Sequence, residues 1–412
     1  MTKSQVTWKS AKLNELGFVG RGKSRHRPRN AAFLYGGKYP FFQTGDIKAA
    51  NFILTEYSQT YSEDGLAQSK LWKPGTLCIT IAANIAESAI LGIEGCFPDS
   101  VVGFVPDPDK TDVRFIKYYM EILKLQMQSA SHGTTQDNLS LDKLLTFDFR
   151  IPPLPVQQRI AGALSTYDEL IENSQRRIKI LEEMARTLYR EWFVHFRFPG
   201  HEELPRVASP LGNIPKGWQV VPFTDIADVL SGGTPKTDVA EYWSGAIPFF
   251  TPRDAPDCFY VQETDKHVTD LGLSKCASDL YPPDTVFITA RGTVGKVALP
   301  SVPMAMNQSC YALRGKAGIP LQFLFLMTLQ QVDYLKTNTG GATFDTIVVD
   351  TFRRMDVVKP TSELIASFAR HVSAIFEQVN TLQRQIRNVR QTRDLLLPRL
   401  LSGQLLNIQA DA

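Results

Sequence analysis

The sequence predicts an α+β protein made of two similar domains and two long antiparallel helices that pair as a coiled coil, with a pseudo-twofold relation between its halves. Three observations lead to this prediction: an internal repeat, short β-rich runs inside each copy, and a heptad pattern after each copy. They place the domains at 1–152 and 206–360 and the helical regions at 153–205 and 361–412.

The internal repeat consists of three blocks that occur twice in the same order. The second copy of each block follows the first by 208 or 209 positions. The blocks are YPFFQTGD at 39–46 and IPFFTPRD at 247–254, GTLCITIAANIAESAI at 75–90 and DTVFITARGTVGKVAL at 284–299, and GTTQDNLSLDKLLTFDFRIP at 133–152 and GATFDTIVVDTFRRMDVVKP at 341–360. A nearly constant shift over this length indicates a duplicated domain.

Each copy mixes strand and helix signals. Leu77–Ile81 and Val286–Ala290 are β-rich runs bounded by Pro and Gly turns. Phe115–Gln128 and Leu321–Leu335 have helical patterns and precede the third block. Each copy is therefore predicted to be an α+β domain.

After each copy the apolar residues change to heptad spacing, over about Val156–Phe196 and Glu363–Leu397. The seam positions are Leu164, Tyr167, Ile171, Ser174, Ile178, Leu181, Ala185 and Leu188, and Val372, Ile375, Val379, Leu382, Ile386, Val389, Arg393 and Leu396. A helix of roughly 35–40 residues extends on the order of 55 Å. Each stripe could pack on its own domain, but a seam of this length in both halves favours pairing of the two helices, and the tandem repeat predicts an antiparallel pair.

The composition is that of a soluble globular protein with two or three domains. Of 412 residues, 43% are hydrophobic and 21% are charged. No apolar run reaches the roughly 18 residues that span a bilayer, and the first ten residues lack the apolar core of a signal peptide, so we expect a cytoplasmic protein without membrane contact. The five cysteines form no C-x-x-C pair, which disfavours disulfides and a zinc site.

The net charge of +3 is small, so binding of nucleic acid would require clustered basic residues. Two clusters are present. The first contains Arg21, Lys23, Arg25, Arg27 and Arg29, and the second contains Arg384, Arg387, Arg390, Arg393 and Arg399. Both are candidate phosphate-contacting surfaces, although a run of charges is also typical of a solvated face.

The segment Gly17–Ser24 matches the P-loop pattern G-x-x-x-x-G-K-S, which raises the alternative of a nucleic-acid-dependent ATPase that uses Lys23. A P-loop follows a buried strand and opens a helix. Here the segment KLNEL precedes the pattern, and Pro28 stops a helix soon after it. We therefore expect no nucleotide site at this segment.

No other catalytic constellation is visible in the sequence. The [N/D]-Pro-Pro-[Y/F] tetrapeptide with which aminomethyltransferases present adenine is absent, and the six histidines lack the spacing of metal ligands or of a catalytic base. The acidic segment Pro106–Lys110 has the composition of a surface turn. The sequence thus predicts a binding protein without catalytic or metal sites, and a scaffold that binds only proteins is a further alternative.

Polar side chains recur at matching places in the two copies and suit the reading of base edges, where amides recognise adenine and arginine recognises guanine. Besides the first basic cluster, the candidate DNA contacts are Gln43, Thr44, Thr134, Thr135, Gln136 and Asn138 in the first copy and Arg253, Arg291, Lys296, Thr343 and Phe344 in the second. The glycines of these segments, with Asp46 and Asp254, would equally satisfy a structural turn.

Six short segments occur in a characteristic order along nearly the whole chain. They are YPFFQTGDI at 39–47, GTT at 133–135, IPPLPVQQRI at 151–160, LYREWF at 188–193, GNIPKGW at 212–218 and LPRLLSGQL at 397–405. Each segment is weak alone, but the ordered set is specific. With two variable copies, each followed by a long helix, the chain resembles the specificity subunits of type I restriction-modification systems.

The resemblance implies a non-catalytic subunit whose two target-recognition domains, at 1–152 and 206–360, each read one part of a bipartite site in double-stranded DNA. It implies that the helical regions bind two methyltransferase subunits and that motor-nuclease subunits join for restriction. S-adenosylmethionine, ATP and magnesium would then belong to these partners. Trp192, Phe193 and Phe196, where the first helix ends, would form part of the methyltransferase-binding surface, although core packing would explain the same aromatic cluster.

The two copies also differ in their third block. Ala342 and Phe344 stand where the first copy has Thr134 and Gln136. We therefore expect the two domains to read different sequences.

Overall fold

The computed structural model describes residues 7–50, 52–131, 139–338 and 346–404. The strands are β1 (Lys9–Ala11), β2 (Gly17–Arg21), β3 (Tyr35–Phe41), β4 (Ile53–Leu54), β5 (Gln59–Tyr61), β6 (Leu77–Thr80), β7 (Ser88–Leu91), β8 (Val101–Pro106), β9 (Phe149–Ile151), β10 (Arg206–Ser209), β11 (Gly212–Pro215), β12 (Gln219–Pro222), β13 (Ala227–Ser231), β14 (Trp243–Phe250), β15 (Tyr260–Val261), β16 (Lys266–Val268), β17 (Val286–Thr289), β18 (Val297–Pro300), β19 (Ala305–Met306), β20 (Cys310–Gly315) and β21 (Asp356–Lys359). The helices are α1 (Thr44–Ala49), α2 (Glu63–Ala67), α3 (Val113–Ser131), α4 (Leu141–Leu144), α5 (Leu154–Tyr189), α6 (Phe223–Ile226), α7 (Asp270–Ser274), α8 (Leu321–Asn338), α9 (Val349–Arg353) and α10 (Ser362–Leu401).

The chain divides into two compact units. The first consists of Met1–Glu172 and Asn388–Ala412, and the second of Asn173–Arg387. Each unit therefore holds one copy of the repeat. Each also holds a segment of both long helices, α5 and α10.

The first unit is built on a five-stranded sheet in the order β2-β8-β6-β7-β4, antiparallel except for the β4–β7 pair. The central strand β6 is buried along its whole length. Leu77 and Ile79 point into one apolar cluster, which includes Phe115 of α3, whereas Cys78 points into a second cluster on the other face with Trp72. The continuous apolar run in the sequence reflects this burial on both faces.

The second unit repeats this topology. Its sheet has the order β13-β20-β17-β18-β15, with β15–β18 as the parallel pair. Each unit also has a small second sheet with an antiparallel pair, β3–β5 or β14–β16, and in the second unit β19 joins it parallel to β14. A further pair, β1–β9 or β12–β21, joins the two ends of the copy. The predicted duplication and the α+β class are confirmed.

The two copies agree even in irregular backbone. The loop after β6 contains Ala83 and Ala86 with φ of 62°, and the loop after β17 has Gly292 and Gly295 at the equivalent positions with φ of 81° and 76°. In each copy the threonine that ends the strand donates its hydroxyl proton to the carbonyl four residues later. The same left-handed turn is thus built from alanine in one copy and glycine in the other.

The two long helices match the predicted seams. Helix α5 ends in a π-helical turn at Arg190–Val194, and α10 extends through Pro398 to Leu401. The buried seam residues are Leu164, Ile171, Ile178, Ala185, Val372, Val379, Leu382 and Ile386. Inside the first unit Asp168 of α5 meets Arg393 of α10, and inside the second unit Tyr189 meets Phe368. Each of these contacts joins α5 to α10 within one unit, so the two helices pack on each other as the heptads predict.

Candidate nucleic-acid interface

The segment that matches the P-loop pattern is part of a sheet. Gly17–Arg21 forms the edge strand β2, and the N–H groups of Gly22 and Lys23 donate to the carbonyls of Val101 at 2.8 Å and Phe97 at 3.1 Å. A Cβ on Gly22 would lie 2.3 Å from the Phe97 carbonyl oxygen, so this glycine serves close strand packing. The N–H groups of Gly22 and Lys23 are thus already used and no helix follows the segment directly, so its structure does not support the ATPase alternative.

The five basic residues of the first cluster are all exposed, but they differ in their partners. Nη2 of Arg29 lies 2.9 Å from both carboxylate oxygens of Asp99, and Arg21 donates to the Asp99 carbonyl. Arg27 donates to nearby backbone carbonyls. Among the described residues, no ion-pair partner meets the charged groups of Lys23 and Arg25. These two side chains are the best placed to contact a phosphate.

Lys70 extends this basic surface and was not found from the sequence. Its Nζ lies 3.6 Å from the centre of the Trp72 ring and 4.6 Å from that of Phe18. Burial lowers the pKa of Lys70, and the positive charge of Lys23 lowers it further. Lys70 follows the cluster by many positions in an unremarkable stretch of sequence, so only the fold brings the two lysines together.

A cleft of about 530 Å³ opens beside the basic segment in the first unit. Its polar lining includes Ser24, Arg29, Asn30, Gln43, Thr44 and Gln59. Three of these, Arg29, Gln43 and Thr44, were predicted as DNA contacts, and the cleft brings them together. Asn30 and Gln59 are additions, and Nε2 of Gln43 donates to Oε1 of Gln59 at 2.8 Å.

The residues that the two copies share around this cleft have structural roles. The paired phenylalanines of the first repeated block are buried in both units. The Asp46 carboxylate accepts the Gln43 N–H at 2.7 Å, and the Asp254 carboxylate accepts the Thr251 N–H at the same distance. The shared aspartates are therefore turn caps, and the neighbouring positions carry polar side chains that differ between the copies.

The sequence profile of one known family, described as "Type I restriction modification DNA specificity domain", matches residues 5–183 and again residues 215–388. The chain belongs to this family. It is a specificity subunit with the role of sequence-specific DNA recognition, so the resemblance seen in the sequence is confirmed. The ATPase and scaffold alternatives find no support.

Individual relatives of this specificity subunit agree with the family assignment. The "Type I restriction enzyme HindI specificity subunit" of Haemophilus influenzae is 23% identical, with 95% of this chain and 98% of the relative covered. The "Type I restriction enzyme MjaIX specificity subunit" of Methanocaldococcus jannaschii is 29% identical over 43% of this chain and 42% of its own length. The crystal structure of the S subunit from M. genitalium shares the fold, with a TM-score of 0.59, 15% identity and 97% of both chains covered.

In the second copy of the specificity subunit, Arg253 and Arg291 are exposed on neighbouring segments. The segments approach each other because a Cβ on Gly292 would lie 4.0 Å from the Cβ of Pro252. Lys296, by contrast, forms an ion pair with Asp257. The predicted contacts of this copy therefore include two exposed arginines and one lysine with an acidic partner.

Several predicted DNA contacts lie outside the described residues. They are Thr134, Thr135, Gln136, Asn138, Thr343 and Phe344. Their assignment stays a prediction from the sequence.

Two arginines of the second basic cluster form ion pairs with carboxylates of the protein itself. In the second unit Arg387 pairs with Glu263 at 2.6 Å, and in the first unit Arg393 pairs with Asp168 and Asp394. A phosphate would have to displace these carboxylates. Arg387 and Arg393 therefore have acidic partners, and the phosphate-contacting role of this cluster stays a prediction.

The aromatic cluster at the end of α5 belongs to the interior of the second unit. Trp192 and Phe193 are only 5% and 7% exposed. Both rings pack on Phe368, and Phe193 also meets Trp218. Phe196 is half-buried against Trp218 at 5.4 Å. The burial of Trp192 and Phe193 favours core packing, the alternative that the sequence left open, over a methyltransferase-binding surface.

The part of the chain that the structure describes offers neither a metal site nor a membrane-spanning helix. It contains no group of three or more His, Cys, Asp or Glu side chains able to hold a metal ion, and no helix long and apolar enough to cross a membrane.

Burial raises the pKa of Cys258 to about 11 and that of Cys310 to about 12, so both thiols are protonated at neutral pH.

Proposed function

We propose that this specificity subunit reads a bipartite site in double-stranded DNA, one part with each copy of the repeated domain at 1–152 and 206–360. The observation that carries the proposal is that the two copies share their backbone topology but differ in the polar side chains beside the aspartate cap. Both copies have the same strand order and the same aspartate cap. The polar positions beside the cap differ, with the half-buried Gln43 and Thr44 in one copy and the exposed Arg253 in the other.

This arrangement suits recognition of two different sequences. A shared backbone frame places side chains at equivalent points of a groove, while the side chains decide which donors and acceptors are presented. Basic groups such as Lys23 and Arg25 would add phosphate contacts that hold the register without reading the sequence. Affinity and specificity would thus come from separate residues of the same domain.

We further propose that the subunit carries no catalytic site and acts with partners. The helical regions at 153–205 and 361–412 would bind two methyltransferase subunits, and motor-nuclease subunits would join for restriction. S-adenosylmethionine, ATP and magnesium would be bound by those partners. The absence of an adenine-presenting tetrapeptide from the sequence and the engaged backbone of Gly22 and Lys23 support this division.

Co-expression with the neighbouring methyltransferase tests the proposal. Methylated bases in the cellular DNA should define a split motif, and methylation at that motif should disappear when this chain is omitted. The purified chain alone should show no ATP hydrolysis with or without DNA. A motif that persists without this chain, or ATP hydrolysis that a Lys23→Ala variant abolishes, would contradict the proposal.

A further inference from the structure

We propose that Gln43 and Gln59 together read an adenine in the first part of the DNA site, and that Lys266 at the equivalent position of the second domain reads a guanine. The inference rests on the proposed function, in which each copy reads one part of the site. It assigns a base class to one position in each half and adds two specificity residues, Gln59 and Lys266, that the sequence did not single out.

The fold places the two glutamines side by side in the cleft. Gln43 follows strand β3, where the aspartate cap holds its backbone N–H. Gln59 lies in β5 opposite Phe41, which is fully packed in the interior. Gln59 is exposed and Gln43 is half-buried, so a base edge can reach both. Since both backbones are fixed by strand pairing or a cap, the amides are presented on a rigid support.

The hydrogen bond between the two amides leaves free a carbonyl oxygen and N–H groups that can pair with adenine. Gln43 donates one N–H to Gln59 at 2.8 Å. Its oxygen and its second N–H remain, as do both N–H groups of Gln59. Adenine presents an N6 amino donor and an N7 acceptor in the major groove, and an amide satisfies both at once. The neighbour limits rotation of the amide, so less side-chain freedom is lost on binding.

Arg29 is a weaker candidate for base reading in the same cleft. Its guanidinium is engaged with both carboxylate oxygens of Asp99 at 2.9 Å. That ion pair would have to open before the guanidinium could meet the O6 and N7 acceptors of guanine. The glutamine pair needs no such change.

The second domain differs at the equivalent position. In β16, Lys266 lies opposite Phe249, as Gln59 lies opposite Phe41 in the first domain. Thr251, the counterpart of Gln43, uses its hydroxyl to bond the Asp254 carboxylate at 2.7 Å. The exposed Lys266 therefore replaces the amide pair, and an ammonium group donates to the two acceptors of guanine.

The test uses the complete complex of this chain with its methyltransferase. Once methylation mapping has given the motif, duplexes with each position of both half-sites substituted in turn compete for the complex. Gln43→Ala and Gln59→Ala should each reduce discrimination at one adenine position of the first half-site by about tenfold to a hundredfold. On a duplex that lacks this adenine, neither substitution should weaken binding further. Lys266→Ala should reduce discrimination at one guanine position of the second half-site.

Matched variants separate recognition from folding. Gln126 is an exposed glutamine on α3 of the same domain, and Gln126→Ala should leave all preferences unchanged. Gln59→Glu keeps the size of the side chain, but a carboxylate cannot donate a hydrogen bond to N7. The preference for adenine should therefore fall while the melting temperature remains unchanged. The double variant Gln43→Thr with Gln59→Lys should change the preferred base at that position to guanine.

The outcomes distinguish this inference from the proposed function. Unchanged base preferences in Gln43→Ala and Gln59→Ala, with a split motif still present, would overturn the base assignment alone. Loss of preference at a position other than adenine would also overturn it. Variants of the first domain that alter both half-sites would instead contradict the proposal of one reader for each half.

Discussion

Arg393 of α10 donates a hydrogen bond to the carboxylate of Asp168 in α5, and the same carboxylate accepts the hydroxyl proton of Tyr118 in α3 at 2.5 Å. Arg393 occupies a position of the seam of α10, which is otherwise apolar. Burial and the bond to Asp168 raise the pKa of Tyr118 well above its ordinary value. A polar group at a seam position favours one register over others because every shift would leave it unpaired.

A double-mutant cycle measures this pairing. The side chains of Arg393 and Asp168 are 27% and 11% exposed, so Asp168→Ala should lower the free energy of unfolding by about 2–3 kcal/mol. The double variant with Arg393→Ala should lose about 1–3 kcal/mol less than the sum of the single losses in urea unfolding. The exposed pair Asp350–Arg354, with 49% and 82% exposure, is the control and should show coupling below about 1 kcal/mol. Equal coupling in the two pairs would contradict a special role for Asp168.

Neutralisation of the basic segment should weaken binding to all DNA sequences alike. Because Lys23 and Arg25 have no acidic partner among the described residues, Lys23→Gln and Arg25→Gln should each flatten the logarithmic salt dependence by roughly 0.9. Arg29→Gln should have a smaller effect, since Asp99 already neutralises this arginine. Binding to cognate and non-cognate duplexes between low and physiological salt provides the measurement. An identical slope in all three variants and the parent would indicate a solvated loop.

The matching left-handed turns predict opposite effects of reciprocal substitutions. Ala83 is exposed at φ of 62°, and a Cβ on Gly292, at φ of 81°, would make no contact closer than the 4.0 Å to the Cβ of Pro252. Ala83→Gly should therefore raise the free energy of unfolding by up to about 1 kcal/mol, and Gly292→Ala should lower it by about 1 kcal/mol. Thermal and urea unfolding of the two variants would reveal the signs. A loss of stability in Ala83→Gly would mean that no strain resides in this turn.

Glu182 makes the stability of the second unit depend on pH. Burial raises the pKa of Glu182 above its ordinary value of 4.5, and the hydrogen bond from the Phe259 N–H and the charge of Arg186 oppose this rise. The folded state therefore holds this proton more tightly than the unfolded state. Its contribution to stability is full below the ordinary pKa and is lost as pH rises through the raised pKa.

Glu182→Gln isolates this effect. Glutamine can still accept the Phe259 N–H, which lies 2.6 Å from Oε1 of Glu182, but it does not titrate. The stability of the variant relative to the parent should therefore increase with pH above about 4.5 in denaturant unfolding. A relative stability independent of pH would show that Glu182 does not titrate differently on folding.

Much of the fold could be predicted because it leaves periodic signals. The repeated blocks indicated the two α+β domains, and the heptads indicated α5 and α10 within a few residues of their observed bounds. Buried seam positions such as Leu164 and Val372 followed directly from the spacing. These features depend on burial, which selects apolar side chains at regular intervals.

The candidate site was harder to predict because its contacts join distant segments. Gln59 lies in a three-residue strand with no motif, and only the pairing of β5 with β3 brings it to Gln43. The partner of Arg29, Asp99, lies in a separate turn. Trp192 was similarly ambiguous, because a buried ring and an interface ring have the same sequence signature until Phe368 is placed beside it.

Exchange of residues 206–360 for the corresponding domain of another specificity subunit is the most direct test of two independent readers. The chimera would be expressed with the cognate methyltransferase, and the methylated bases in the cellular DNA would be mapped. One half of the methylated sequence should change while the other half stays as in the parent. A chimera that folds and assembles but changes or loses both halves would contradict the assignment of one reader to each copy.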